Sequence, residues 1–211
     1  MGSDELAFSH IEHALKRSAA ALREAGVPFL LGGSLASWAR GGPETRHDLD
    51  LMIRPGDVEA ALRALTDAGM KPERPPEEWL VKAWDGETLV DLIYCPKGLP
   101  MDDEVFARGE ELSVLGMEIR VMALEDVMAT KLMAITEHSL RFESPLRIAR
   151  ALREQIDWEA VRARTESSPF ARAFFVLLEG LDILPGAPER TPSEPRVRVV
   201  TPQGSGAMRA G

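Results

Sequence analysis

Two aspartates separated by one residue, Asp48-Leu49-Asp50, open an apolar run that continues Leu51-Met52-Ile53. In an extended strand, residues i and i+2 point to the same face, about 6.7 Å apart along the backbone. Asp48 and Asp50 then share one face while Leu49 and Leu51 turn to a core. Carboxylates that close repel, and without a cation one of them takes up a proton. Magnesium removes the conflict, since it prefers oxygen ligands and commonly combines one or two carboxylates with phosphate oxygens. An Asp-x-Asp at a strand start can also be no more than a solvated edge. A third acid argues for more: Asp91 interrupts the apolar run Leu89-Val90-Asp91-Leu92-Ile93-Tyr94. A buried, unpartnered aspartate is costly. Placed beside the Asp48/Asp50 strand, Asp91 completes a three-carboxylate metal site. Two such ions, about 3.5–4 Å apart, could clamp the attacking and leaving oxygens of an in-line displacement.

The second element of chemistry is Gly32-Gly33-Ser34, following the apolar stretch Val27-Pro28-Phe29-Leu30-Leu31. Glycines there allow a tight turn and close approach of a ligand. Free amides at the start of a helix from Ser34 favour an anion, and the Ser34 hydroxyl adds a donor. Most Gly-Gly-Ser turns bind nothing, but this one precedes the Asp-x-Asp by thirteen residues. Together the two signals point to a nucleoside triphosphate and transfer of part of it.

As a set, Gly33-Ser34, a short helix, Asp48-Leu49-Asp50-Leu51 and the later Asp91 resemble the nucleotidyltransferase superfamily typified by DNA polymerase beta. The segment Thr45-Arg46-His47-Asp48-Leu49-Asp50 resembles the small stand-alone bacterial members, which include antibiotic nucleotidyltransferases and toxins of some toxin–antitoxin pairs. The resemblance spans roughly residues 5–140. It implies that Gly33 and Ser34 contact the triphosphate and that Asp48, Asp50 and Asp91 ligate Mg2+. It further implies that Asp91 deprotonates the acceptor hydroxyl. Lys131, in Leu124-Glu125-Asp126-Val127-Met128-Ala129-Thr130-Lys131-Leu132, matches a helix whose lysine reaches the phosphates; a solvent-facing lysine is the plain alternative. The implied activity is transfer of a nucleoside monophosphate from a triphosphate such as ATP to an acceptor hydroxyl, with release of pyrophosphate. Two alternatives stand beside it: an inactive nucleotide-binding or interaction module of the same fold, and a toxin acting on RNA ends and restrained by an antitoxin-like partner.

The remaining sequence must position these groups. The 211 residues suffice for a real core, and 45% hydrophobic against 28% charged residues reads as a soluble globular chain. No apolar run approaches the roughly 20 residues needed to span a bilayer. The acidic start Met-Gly-Ser-Asp-Glu shows no secretory signal, and the single Cys95 admits no intrachain disulfide; both agree with a cytoplasmic location. Cys95 is expected to fill a strand end. The net charge of −9, without a dense Lys/Arg cluster, favours a small acceptor over a long nucleic acid. Arg40, Arg46 and Arg54 could still form a local funnel around the site.

The expected fold is α/β (α+β), a small mixed sheet flanked by helices, with a C-terminal helical subdomain. Residues 1–122 form the catalytic domain, 123–184 the helical subdomain and 185–211 a Pro- and Gly-rich disordered tail. Helical periodicity marks residues 4–25, through Phe8, Ile11, Leu15, Ala19 and Leu22, with His10 and His13 on the surface. It also marks residues 57–68, with Asp57 as N-cap. Residues 72–76 read as a rigid Pro-bounded loop. Residues 79–84 and 88–94 flank Asp85-Gly86 as a hairpin, which sets the Asp91 strand antiparallel to its predecessor. A helical turn at 102–107 and a hairpin about Leu115-Gly116 follow. The helix from Leu124 is expected to reach His138, seven residues beyond Lys131 and so on its face, as a proton shuttle or substrate contact or as a cation at the helix end. Helices at 145–153 and 158–165 (capped by Asp157) and one starting at Ser168-Pro169 complete the chain. In the last, Phe170, Phe174, Leu177, Leu178 and Leu181 read as core.

Overall fold

A computed structural model describes residues 3–44 and 49–185, with residues 3–7 described by backbone only. Asp48, Arg46 and the tail beyond Pro185 lie outside the described residues. Among the described residues, eight α-helices and seven strands follow in the order α1 (Ser3–Glu24), β1 (Phe29–Leu31), α2 (Gly33–Trp38), β2 (Leu49–Ile53), α3 (Val58–Asp67), β3 (Lys71–Glu73), β4 (Leu80–Asp85), β5 (Thr88–Ile93), α4 (Asp103–Arg108), β6 (Glu110–Val114), β7 (Met117–Val121), α5 (Leu124–Met133), α6 (Glu143–Leu152), α7 (Trp158–Arg164) and α8 (Pro169–Gly180). The strands form one mixed sheet, ordered β3-β4-β5-β2-β1-β7-β6. The β2–β5 and β1–β7 pairs are parallel and the rest antiparallel. The α/β expectation holds, with a larger sheet than a small one.

Period-two burial explains how the sheet is seated. Leu49, Leu51 and Ile53 of β2, and Val90 and Leu92 of β5, are fully buried. Helices α1 and α3 pack against these strands, α1 through Ile11, Leu15, Ala19 and Leu22 and α3 through Ala61, Leu62 and Leu65. Each such Leu or Ile stabilises the fold by about 1.5–3 kcal/mol relative to exposure. A second apolar cluster unites Leu124, Met128 and Leu132 of α5 with Ile148, Val161, Phe174 and Leu178 of the later helices, while Val127 of α5 belongs to the sheet's core. The short caps are as expected: Asp157 accepts from the Glu159 and Ala160 amides, and Ser168 accepts from that of Ala171. Asp57 occupies the α3 cap position without a side-chain bond, behind a 3-10 turn at Pro55–Asp57. Among the described residues no helix is long and apolar enough to cross a membrane.

Three local expectations are corrected. The segment expected as a rigid loop at 72–76 begins within β3, where Pro72 pairs with Ala83; an edge strand tolerates proline because its missing N–H can face away from the ladder. The β4–β5 turn is Gly86-Glu87, closed by Asp85 opposite Thr88, and Gly86 takes the positive φ of 63°. The helix from Leu124 ends at Met133, and Thr136 bridges to Ser139 beyond it. Ile135 is 3% exposed and joins the second cluster, so burial of that side chain accompanies the end of the helix.

That second half also contains a buried ionic joint. Asp126 of α5, fully buried, accepts from Arg108 Nε at 2.9 Å and from its terminal nitrogen at 3.2 Å, and Arg164 of α7 stands 3.4 Å away. The Arg108 guanidinium is raised above its ordinary pKa, first by this hydrogen bond and against the opposing effect of burial. One carboxylate thereby ties α4, α5 and α7 together.

Candidate functional site

On β2 the alternation that buries Leu49 and Leu51 turns Asp50 to the opposite face. Asp50 stands in register with Asp91 on the parallel neighbour β5. In-register residues on adjacent strands share a face about 4.8 Å apart. Asp91 is 9% exposed and Asp50 is half-buried. At about 5 Å and an effective dielectric of about 20, two ionised carboxylates repel by about 3 kcal/mol. Such a pair needs compensation, and the fold supplies it from both sides.

On one side lies the turn after β1. The Gly32 amide donates to the Asp50 carbonyl at 2.9 Å. Gly33 follows with φ +56°, and a Cβ built there would lie 1.6 Å from Oδ2 of Asp50. Only glycine leaves room for the carboxylate against this turn. Lys131 of α5 reaches the same place, donating from Nζ to Ser34 Oγ at 3.1 Å. Burial pulls its ammonium below the ordinary lysine pKa, and the Asp50 charge partly offsets that. Lys131 is therefore no solvent-facing lysine. Helix α2 has only six residues, so its dipole is short, and the Ser34 hydroxyl and Lys131 ammonium are the polar side-chain groups that meet at the turn.

On the other side is Lys82 of β4, a residue that the sequence reading missed. It pairs in register with Asp91, and its Nζ stands 3.4 Å from Asp91 Oδ1. The polar row across the sheet thus runs Lys82, Asp91, Asp50, Gly33-Ser34, Lys131: two acids bracketed by two lysines. The signal for Lys82 was present, because it interrupts an apolar strand, Leu80-Val81-Lys82-Ala83, just as Asp91 does. A turn at Asp85-Gly86 would have set Leu80 opposite Asp91; the one-residue shift brings Lys82 there instead.

A cleft of about 860 Å³ opens beside Ser34 and Ser37 and is walled across from them by Arg141, Phe142, Ser144 and Arg147. That volume suits a small ligand. The residues at 142–147 carried no site signal in the sequence, since only the packing of α6 brings them to the turn. Among the described residues, no group of three or more His, Cys, Asp or Glu side chains is placed to hold a metal; Asp48 lies outside them. The pair Asp50 and Asp91 is nonetheless an all-oxygen donor set of the kind magnesium takes.

Other candidates stand apart from the row. Arg54 follows β2 at its far end, about 13 Å along the strand from Asp50. It pairs with Asp103 at 2.8 Å and lies over the Phe106 ring. Arg40 pairs with Glu110 at 3.2 Å and donates to the Ala36 carbonyl. Both arginines are committed to neighbours on the fold, and the expected funnel does not form from them. His138, expected on the Lys131 helix, lies past its end with its side chain 88% exposed against Glu137; the early end of α5 removes it from that face. Cys95 is exposed rather than filling a strand end. His10 and His13 are on the surface.

The family model described as an uncharacterised nucleotidyltransferase matches residues 9–182. The solution structure of the antibiotic-resistance factor ANT(2'')-Ia is similar at 17% identity and a TM-score of 0.56, covering 81% of this chain and 96% of that one. The crystal structure of ANT(2'')-Ia in complex with adenylyl-2''-tobramycin is similar at 15% identity and a TM-score of 0.56, covering 77% of this chain and 98% of that one. Among curated proteins, none matches.

Proposed function

Because the chain belongs to the uncharacterised nucleotidyltransferase family, we propose that it moves a nucleoside monophosphate, with ATP as donor, onto a hydroxyl of a small acceptor. The acceptor oxygen attacks the α-phosphorus, the bond to the β-phosphate oxygen breaks, pyrophosphate leaves, and the hydroxyl proton passes to Asp91. The observation that carries this reading is the register of Asp50 with Asp91 beside a glycine turn that leaves room for the Asp50 carboxylate.

In this reading Asp48, Asp50 and Asp91 hold Mg2+, which would neutralise charge on the phosphates. Gly33, Ser34 and Lys131 hold the triphosphate, with Lys131 already turned onto Ser34. Catalysis is then mostly positioning and charge compensation, as phosphoryl-type transfer requires. The sheet half would supply the reacting groups, and the acceptor would lodge in the cleft between Ser34, Ser37 and the segment 140–148. A small acceptor fits the cleft volume and the net charge of −9. It also parallels ANT(2'')-Ia, whose complex contains an adenylylated tobramycin.

The test is incubation with each labelled triphosphate, Mg2+ and pools of hydroxyl-bearing antibiotics and metabolites, followed by identification of the labelled product. Label transfer with pyrophosphate release is expected for the wild type. In Asp50→Asn, transfer should fall by about 100-fold or more, as for other losses of electrostatic stabilisation in the transition state, while the melting temperature is retained. Wild-type transfer by Asp50→Asn refutes the assignment.

A further inference from the structure

The cation beside Asp91 has a role of its own. The β4–β5 hairpin fixes Lys82 opposite Asp91 through six consecutive pairs. The lysine side chain is 22% exposed and that of Asp91 13%, so neither is a freely solvated surface charge. The other acid in register with Lys82 is Glu73 on β3, whose Oε2 accepts from Trp84 Nε1 at 2.6 Å. At 3.4 Å, the Lys82–Asp91 contact is longer than the 2.7–2.9 Å or so of a charge-assisted hydrogen bond. Through Oδ1, this contact sets a positive charge beside Asp91.

We propose that Lys82 is a positioning residue of the transfer site: it holds Oδ1 of Asp91, fixing that carboxylate beside Asp50, and compensates the acid pair's charge before a divalent cation arrives. This rests on the reading that Asp50 and Asp91 hold such a cation. It has two opposed consequences. Lys82 repels the incoming ion, so its removal strengthens metal binding. It also orients the acid that takes the acceptor's proton, so its removal slows turnover. A lysine serving stability alone would not slow turnover at saturating Mg2+ in a folded variant.

The experiment uses the full chain and the variants Lys82→Met, Lys82→Arg and Asp50→Asn. Mg2+ binding is measured by calorimetry, melting temperature with and without Mg2+, and kcat at saturating Mg2+ on the acceptor found by labelling. Removing the positive charge beside the acid pair is expected to tighten Mg2+ binding by Lys82→Met about tenfold. Its Mg2+-induced gain in melting temperature should exceed that of the wild type, because its acid pair has one positive charge fewer beside it until the metal binds. Its kcat should fall about tenfold or more, and Lys82→Arg should recover most of the loss. Unchanged or weaker Mg2+ binding by Lys82→Met, or an unchanged kcat, overturns the proposal. If Lys82→Met does not fold, Lys82→Gln decides by the same readouts. Loss of Mg2+ binding in Asp50→Asn alongside an indifferent Lys82→Met defeats only the role of Lys82. Wild-type Mg2+ binding and transfer in Asp50→Asn defeat the underlying reading as well.

Discussion

Asp126 and Asp91 are both acids set in apolar sequence, yet the fold treats them in opposite ways. Asp126 is sealed from solvent and met by two arginines, one of them through two nitrogens within 3.2 Å. Asp91 sits on a sheet face, in register with a second acid, and its lysine stands off at 3.4 Å. Guanidinium forks saturate a carboxylate and hold it in one geometry, which suits a joint between helices. A single ammonium at one oxygen orients a carboxylate without enclosing it, which suits a site. Burial and an opposite charge are common to both acids; the closeness of the partner and a second acid in register are what distinguish Asp91.

The largest effect that tests this contrast is at the joint. Asp126→Ala leaves Arg108 and Arg164 without their shared anion and should cost about 3 kcal/mol of stability, toward the lower end for a broken buried pair because both arginines keep some solvent contact. Urea unfolding measures it. Transfer per folded molecule should stay within about twofold, since Asp126 pairs with Arg108 and Arg164 rather than with the groups of the row. A variant of normal stability but impaired transfer would erase the distinction between the two acids.

Gly33→Ala probes the site side. The positive φ costs about 1–2 kcal/mol with a side chain, and the new methyl collides with Oδ2 of Asp50. A carboxylate displaced by about 1 Å should slow transfer about 100-fold. Steady-state rates at saturating triphosphate and Mg2+ check it, and a rate near wild type would mean that Asp50 is not held against the turn during reaction.

Lys131→Met gives the smallest effect and the sharpest sign. Burial lowers the Lys131 pKa from its ordinary 10.5, so the folded state holds this proton less tightly than the unfolded chain. The charged lysine therefore costs stability at neutral pH, and the cost fades as pH rises through the lowered value toward 10.5. Lys131→Met should melt at or above the wild type at pH 7, with the gap closing toward pH 10, while transfer slows about tenfold, on the order of 1.4 kcal/mol. Melting curves across that range decide it. A variant that melts lower at pH 7 would place Lys131 with the structural cations rather than with the site.

How much of this was legible in the sequence follows the range of the interactions. Asp50 and Asp91 announced themselves as acids in apolar strands, and the order of hairpin and strand implied a shared sheet. Lys82 carried the same kind of signal, but its pairing with Asp91 depended on a turn one residue away from the strongest dipeptide. His138 was misplaced because nothing local ends the helix at Met133: Ile135, Thr136 and Glu137 could continue it, and the packing of Ile135 into the helical cluster goes with the end. β3 was hidden by its proline, which an edge position tolerates. Arg40 and Arg54 looked like site residues in the sequence and are spent on Glu110 and Asp103.

What the chain determined by itself was which face each acid occupies, because strand alternation is a steric property of the backbone and the leucines beside each aspartate choose the buried side. Which groups meet on that face was decided only by tertiary structure. Asp50 and Asp91 meet because β5 lies parallel beside β2, and Lys131 finds Ser34 across 97 residues because α5 packs on α2. Contacts of that span are set by how buried surfaces fit together, and no local pattern encodes that fit.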